Sequence, residues 1–178
     1  MTKKLRDPAS AITHFFAAIL ALIGSIIIII LGWDSPIKVI SFSIYGTSLV
    51  LMFSASAVYH AANTEDHILQ RLRKLDHSAI YLLIAGSYTP ICLYFFRGFW
   101  QWGMLTIIWV MGISGIIVKL FIIKAPRWVT AGVYLVMGWV AIMAVQEMLR
   151  TMPTAAIAWL VAGGVIYSVG AIIYITKK

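Results

Sequence analysis

Six stretches of this sequence carry no Lys, Arg, Asp or Glu, and each is at least 19 residues long. They lie between Asp7 and Asp34, Lys38 and Glu65, Asp76 and Arg97, Arg97 and Lys119, Arg127 and Glu147, and Arg150 and Lys177. A helix rising about 1.5 Å per residue needs about 20 residues to cross a hydrocarbon layer about 30 Å thick. A backbone in lipid must satisfy its own hydrogen bonds, which leaves helices and closed barrels, and barrel strands are about half as long as these runs. The sequence predicts an all-α, polytopic transmembrane helical bundle forming a single membrane domain over 1–178. Composition agrees: 62% of the residues are hydrophobic and 11% charged, against about 45–50% apolar in ordinary globular chains.

The expected spans are about 11–31, 38–60, 77–96, 101–121, 129–147 and 155–176. The first is longer than the roughly 7–15 apolar residues of a secretory signal and is read as a retained span. Pro90 falls inside the third and is expected to kink it. Gly112 with Gly115, and Gly163 with Gly164, are places where helices could approach closely. The one connection expected to be long runs from Ala61 to Leu75, polar and charged. The lone cysteine, Cys92, lies inside a span, which excludes an intramolecular disulfide and leaves the redox compartment open.

Basic residues set the orientation. With a cytoplasmic N-terminus, the inner segments hold Lys3, Lys4, Arg6, Arg71, Arg73, Lys74, Lys119, Lys124, Arg127, Lys177 and Lys178, and the outer loops only Lys38, Arg97 and Arg150. That asymmetry is the positive-inside pattern. It accounts for the net charge of +8 through topology and contact with anionic lipid headgroups. No nucleic-acid partner is needed to explain it; the expected partners are membrane lipids.

Three polar residues stand out against this background. His60 closes the second span and Ser56 lies one turn deeper on the same face. Asp76 opens the third span at the same membrane level. Ionisable groups at that depth commonly face the bundle interior and mark function. The bland reading, a His at water and an Asp stabilised by a helix N-terminus, remains equally open on spacing alone. His67 is expected to be solvated, and His77 to point about 100° away from Asp76. His14, at the cytoplasmic start of the first span, could reach the same layer, though its spacing does not say so.

The segments "RDPASAITH", "SASAVYH" and "LDHSAIYLLIAGSYTP" closely resemble the bacterial hemolysin III family, which groups with adiponectin and progestin receptors and alkaline ceramidases. The resemblance covers essentially the whole chain and implies a plasma-membrane protein with a zinc site at the cytoplasmic leaflet. By that resemblance His60 is a metal ligand, Asp76 a carboxylate that orients water or moves protons, and Ser56 a support for the metal-bound water. The family pattern ends in a seventh span bearing His-x-x-x-His, which supplies the other two ligands. This sequence stops at "YITKK" after the sixth span, so six of seven spans are expected, with zinc weakly held or absent. Three functions follow as expectations: a zinc-dependent intramembrane hydrolase of a lipid amide or ester, a haemolytic or pore-forming protein, or a receptor-like membrane-homeostasis protein without turnover.

The topology is directly testable. Because Cys92 is the one native cysteine, single cysteines at Asn63 and Gly98 can be probed on intact cells with an impermeant thiol reagent. Labelling at Gly98 and protection at Asn63 are expected; the reverse pattern overturns the orientation.

Overall fold

The computed structural model describes residues 5–121 and 126–176, Arg127 by its backbone alone. Among these residues the chain is helical apart from short connections, without strands. The helices are α1 (Pro8–Leu31), α2 (Pro36–Ala61), α3 (Asp66–Tyr94), α4 (Gly98–Phe121), α5 (Arg127–Trp139), α6 (Val145–Thr151) and α7 (Thr154–Thr176). A 3-10 turn, Val140–Ala144, joins α5 to α6. Five segments are long and apolar enough to cross a membrane: α1, α2, α4, the continuous Trp128–Thr151 and α7. The fold is a polytopic helical bundle. Of the basic residues that set the expected orientation, Lys3, Lys4, Lys124, Lys177, Lys178 and the Arg127 side chain lie outside the described residues.

α3 is absent from that set of five because even its uncharged part is rich in Ser, Thr, Tyr and His, yet it is the centre of the bundle. Ten of its residues are buried, while α1 buries three and α7 none. It packs on α2 along one side and α4 along the other, and also meets α5. Tyr81, Ile84, Ala85, Tyr88 and Cys92 form its part of the core, with Phe96 just beyond its end, against Met104 and Ile108 of α4 and Tyr134 and Met137 of α5. Lipid-facing helices need apolar surfaces all round, whereas a central helix can carry polar groups that neighbours satisfy.

The structure corrects two sequence expectations. The connection expected over Ala61 to Leu75 shrinks to a few residues, because α3 starts at Asp66. Leu, Gln, Arg and Lys in that segment favour helix, and Asp66 in the first turn suits the positive end of the dipole. The fifth span, expected as one helix over 129–147, is interrupted by the 3-10 turn. The Tyr88 hydroxyl fills the break: it donates to the Gly138 carbonyl at 2.7 Å and accepts from the Ala141 N–H at 2.9 Å. A side chain inserted into the helical ladder is a known cause of such breaks. α3 itself runs through Pro90, which cannot donate to the Gly86 carbonyl.

Small residues set the tight contacts on α3. A Cβ on Gly86 would sit 2.2 Å from Ser48 Oγ of α2, and one on Gly115 of α4 only 2.4 Å from the Tyr81 ring. Gly112 is also close-packed, 3.2 Å from Ala85 and Met137, but Gly163 has open space. Gly98 adopts φ +57°, where a side chain is strained, so the outer labelling cysteine belongs at the neighbouring exposed Phe99.

Gly115→Ala therefore forces a buried aromatic ring to move and should destabilise the bundle by about 1–3 kcal/mol. Gly163→Ala should be neutral or stabilising, since alanine is the better helix former by up to about 1 kcal/mol. Thermal unfolding in detergent checks the pair; equal melting temperatures for the two variants would contradict the α3–α4 contact.

Candidate functional site

The site is built where the amino end of α1 meets the carboxyl end of α2. Helices begin with free N–H groups and end with free carbonyls, and each set needs partners. Asp7 caps α1, its carboxylate accepting from the Ser10 N–H at 3.4 Å, and Pro8 follows where its missing N–H costs nothing. The same short segment satisfies the end of α2. The Asp7 N–H donates to the His60 carbonyl at 3.0 Å, and the Arg6 guanidinium donates to the Tyr59 carbonyl at 2.7 Å. Arg6 also lies over the Tyr59 ring, 4.1 Å from its centre. One helix start thus closes another helix end, and this fixes the depth of everything on both.

Four chemically capable side chains converge there. His60 Nδ1 is 3.0 Å from Asp7 Oδ2. Ser10 first, and His60 after it, hold the Asp7 carboxyl below the ordinary aspartate range. An ionised carboxylate can only accept, so His60 Nδ1 is the donor in this contact. His14, two turns into α1, places Nδ1 2.5 Å from Ser56 Oγ of α2. The His14 and His60 rings meet edge to face at 5.6 Å. From α3, the buried Asp76 carboxyl sits beside the Ser56 hydroxyl and within electrostatic reach of His60, His14 and Arg6.

Ser56, His60 and Asp76, the residues singled out in the sequence, are therefore brought together from α2 and α3. His67 is exposed beside Glu65 at 3.2 Å. His77, expected to point away from Asp76, comes to 4.0 Å from its carboxylate, with its ring largely covered and its backbone carbonyl accepting from the Tyr134 hydroxyl. Sequence reasoning missed Asp7 and Arg6, and left His14 undecided. Their signal is the seven-residue spacing of Asp7 and His14, two helical turns on one face. It points at α2 only once the antiparallel pairing of α1 and α2 is known.

A zinc ion with catalytic access takes three protein ligands and one open position. Among the described residues, no group of three His, Cys, Asp or Glu side chains is placed to hold a metal ion. His14 Nδ1 meets Ser56 Oγ and His60 Nδ1 meets Asp7, which leaves two imidazoles and no third ligand beside them among the described residues. The residues present do not by themselves fit zinc.

Comparison with known proteins agrees with this architecture. The family described as "Haemolysin-III related" matches residues 2–178. The chain is 39% identical to Hemolysin-3 of Bacillus cereus over 183 aligned positions, covering 100% of this chain and 82% of that protein. It is 38% identical to a Hemolysin-3 homolog of Bacillus subtilis (strain 168), covering 96% of this chain and 80% of the homolog. A more distant similarity, 28% identity over 76% of this chain and 33% of the other, joins it to an adiponectin receptor protein of Drosophila melanogaster. With its whole length matched and its helices arranged as a polytopic bundle, the chain belongs to the haemolysin III family.

Proposed function

We propose that this multi-pass membrane protein works through the cluster of His14, Ser56, His60 and Asp76, held at the cytoplasmic leaflet of the plasma membrane with the N-terminus inside. The observation that carries the reading is the convergence of two imidazoles, a hydroxyl and a buried carboxyl from three helices at one depth. Polar groups in a bundle this apolar are costly unless they serve one another or a ligand. Asp7 orients His60 through Nδ1, the way a carboxylate orients a metal-ligating imidazole. We assign His60 as one metal ligand, with Asp76 and Ser56 in support, and the remaining ligands come from outside the described residues. The reaction class that fits this setting is hydrolysis of a lipid amide or ester, with Asp76 as the group that handles protons.

Lysis of membranes is suggested by the name of the Bacillus relatives. The polar side chains of the site gather at one end of α1–α3, which suits a headgroup-level site better than a conducting path.

Elemental analysis after mild chelation tests the ligand assignment. The 178-residue chain should hold well under about one zinc, and His60→Ala should not change this. The same chain continued by a helix bearing His-x-x-x-His should hold about one zinc, lost on His60→Ala. Stoichiometric zinc in the short chain would mean that His14 or His77 completes the site. No zinc in the extended chain removes the hydrolase reading. Dye release from liposomes should stay at background; rapid release would favour lysis.

A further inference from the structure

A second polar locus lies away from this cluster, where α4 ends and α5 begins. Lys119, in the last turn of α4, is 8% exposed. Among the described residues its ammonium makes one long contact, 3.5 Å to the Thr130 hydroxyl of α5. No carboxylate among the described residues pairs with it; Arg73 and His77 of α3 are the titratable groups within electrostatic reach. A lysine near a helix C-terminus is ordinarily explained by the dipole or by reaching out to water. The second does not apply to this one, because the Lys119 side chain is buried, and Lys74 shares that helix end by donating to the Leu120 carbonyl.

A buried ammonium without a counter-charge is expensive, and an anion that enters beside it recovers that cost. The surroundings favour an anion. Arg73 is exposed, so its guanidinium can swing over the site. α5 starts at Arg127 with Pro126 at its N-cap, a residue whose side chain cannot cap the first N–H groups. These amides and the positive end of the α5 dipole lie one turn from Thr130. The locus also sits at the end of a membrane-crossing helix, the depth at which lipid phosphates lie.

We propose that the seam between α3, α4 and α5 binds the phosphate of an anionic phospholipid, with Lys119 as the buried cation and Arg73 as the outer one. The lipid lies flat against the bundle, its phosphate on Lys119 and its acyl chains along the exposed apolar sides of α4 and α5. Basic pockets between membrane helices bind anionic headgroups in this way.

The test uses the full chain purified in neutral detergent. Phosphatidylglycerol, phosphatidylcholine and inorganic phosphate are titrated separately while bound lipid is counted by native mass spectrometry and the melting temperature is followed. Phosphatidylglycerol should bind and raise the melting temperature, and phosphatidylcholine and inorganic phosphate should not. Lys119→Met, which keeps the side-chain length and suits an apolar site, should fold and bind phosphatidylglycerol about tenfold more weakly. Lys119→Arg should retain binding, and Arg150→Gln, an exposed cation at the opposite end of the bundle, should leave it unchanged. Unaltered phosphatidylglycerol binding in folded Lys119→Met overturns the proposal. Equal stabilisation by inorganic phosphate overturns the lipid as its source. If Lys119→Met fails to fold, Arg73→Gln is the second variant: a loss of about threefold or more supports the site, and no loss contradicts it.

Discussion

Inside lipid a peptide group has no water to bond, so each backbone segment must close its own ladder, and a helix is the economical way to do it. What a helix cannot close is its ends. In this chain the most consequential ends are those of α1 and α2, which satisfy each other: Arg6 and the Asp7 N–H take the last carbonyls of α2, while Asp7 caps α1. That exchange sets the register of the first hairpin. With it set, His14 falls beside Ser56, and His60 beside Asp7. The short connection from α2 to α3 then brings Asp76 to the same level. The polar cluster is a consequence of how helix termini are satisfied.

The same constraint explains why the least apolar of the crossing helices lies innermost. α3 carries Asp76, Ser78, Tyr81, Tyr88 and Thr89 among its buried residues. Each polar group that finds a partner ties α3 to a neighbour. Tyr88 bonds the broken middle of the α5–α6 span, and Thr89 accepts from the Trp109 indole of α4 at 3.1 Å. Glycines at positions 86 and 115 admit the close approach on which such bonds depend. α1 and α7, by contrast, show broad apolar faces that only a membrane suits. The interior is where this protein spends its polarity, and among the described residues Lys119 is the buried cation without a carboxylate beside it.

Much of this was legible in the residues. Uncharged runs located the crossing helices, since charge is what lipid excludes most strongly. Ser56, His60 and Asp76 were placed together by topology and by motif. The early start of α3 was misread because charged residues were taken for a loop, although Leu, Gln, Arg and Lys are sound helix formers outside the membrane. The break at Val140–Ala144 was hidden because its cause, Tyr88, lies about fifty positions away. Asp7 escaped notice, and His14 stayed undecided, for a similar reason. Their spacing marks a shared face, but which helix that face meets is a tertiary fact. Burial of Lys119 contradicts the usual behaviour of a lysine at a span end, so no local rule would have found it.

The central claim is that α1, α2 and α3 hold one polar cluster by exchanging the bonds at their ends. A side-chain-resolution structure of the chain in lipid nanodiscs tests it most directly. The account predicts His14 Nδ1 in hydrogen-bond contact with Ser56 Oγ, Asp7 bridging the α1 start to His60, and the Asp76 carboxyl facing both histidines. A structure with His14 turned into the acyl chains, or with Asp7 detached from the end of α2, would contradict it.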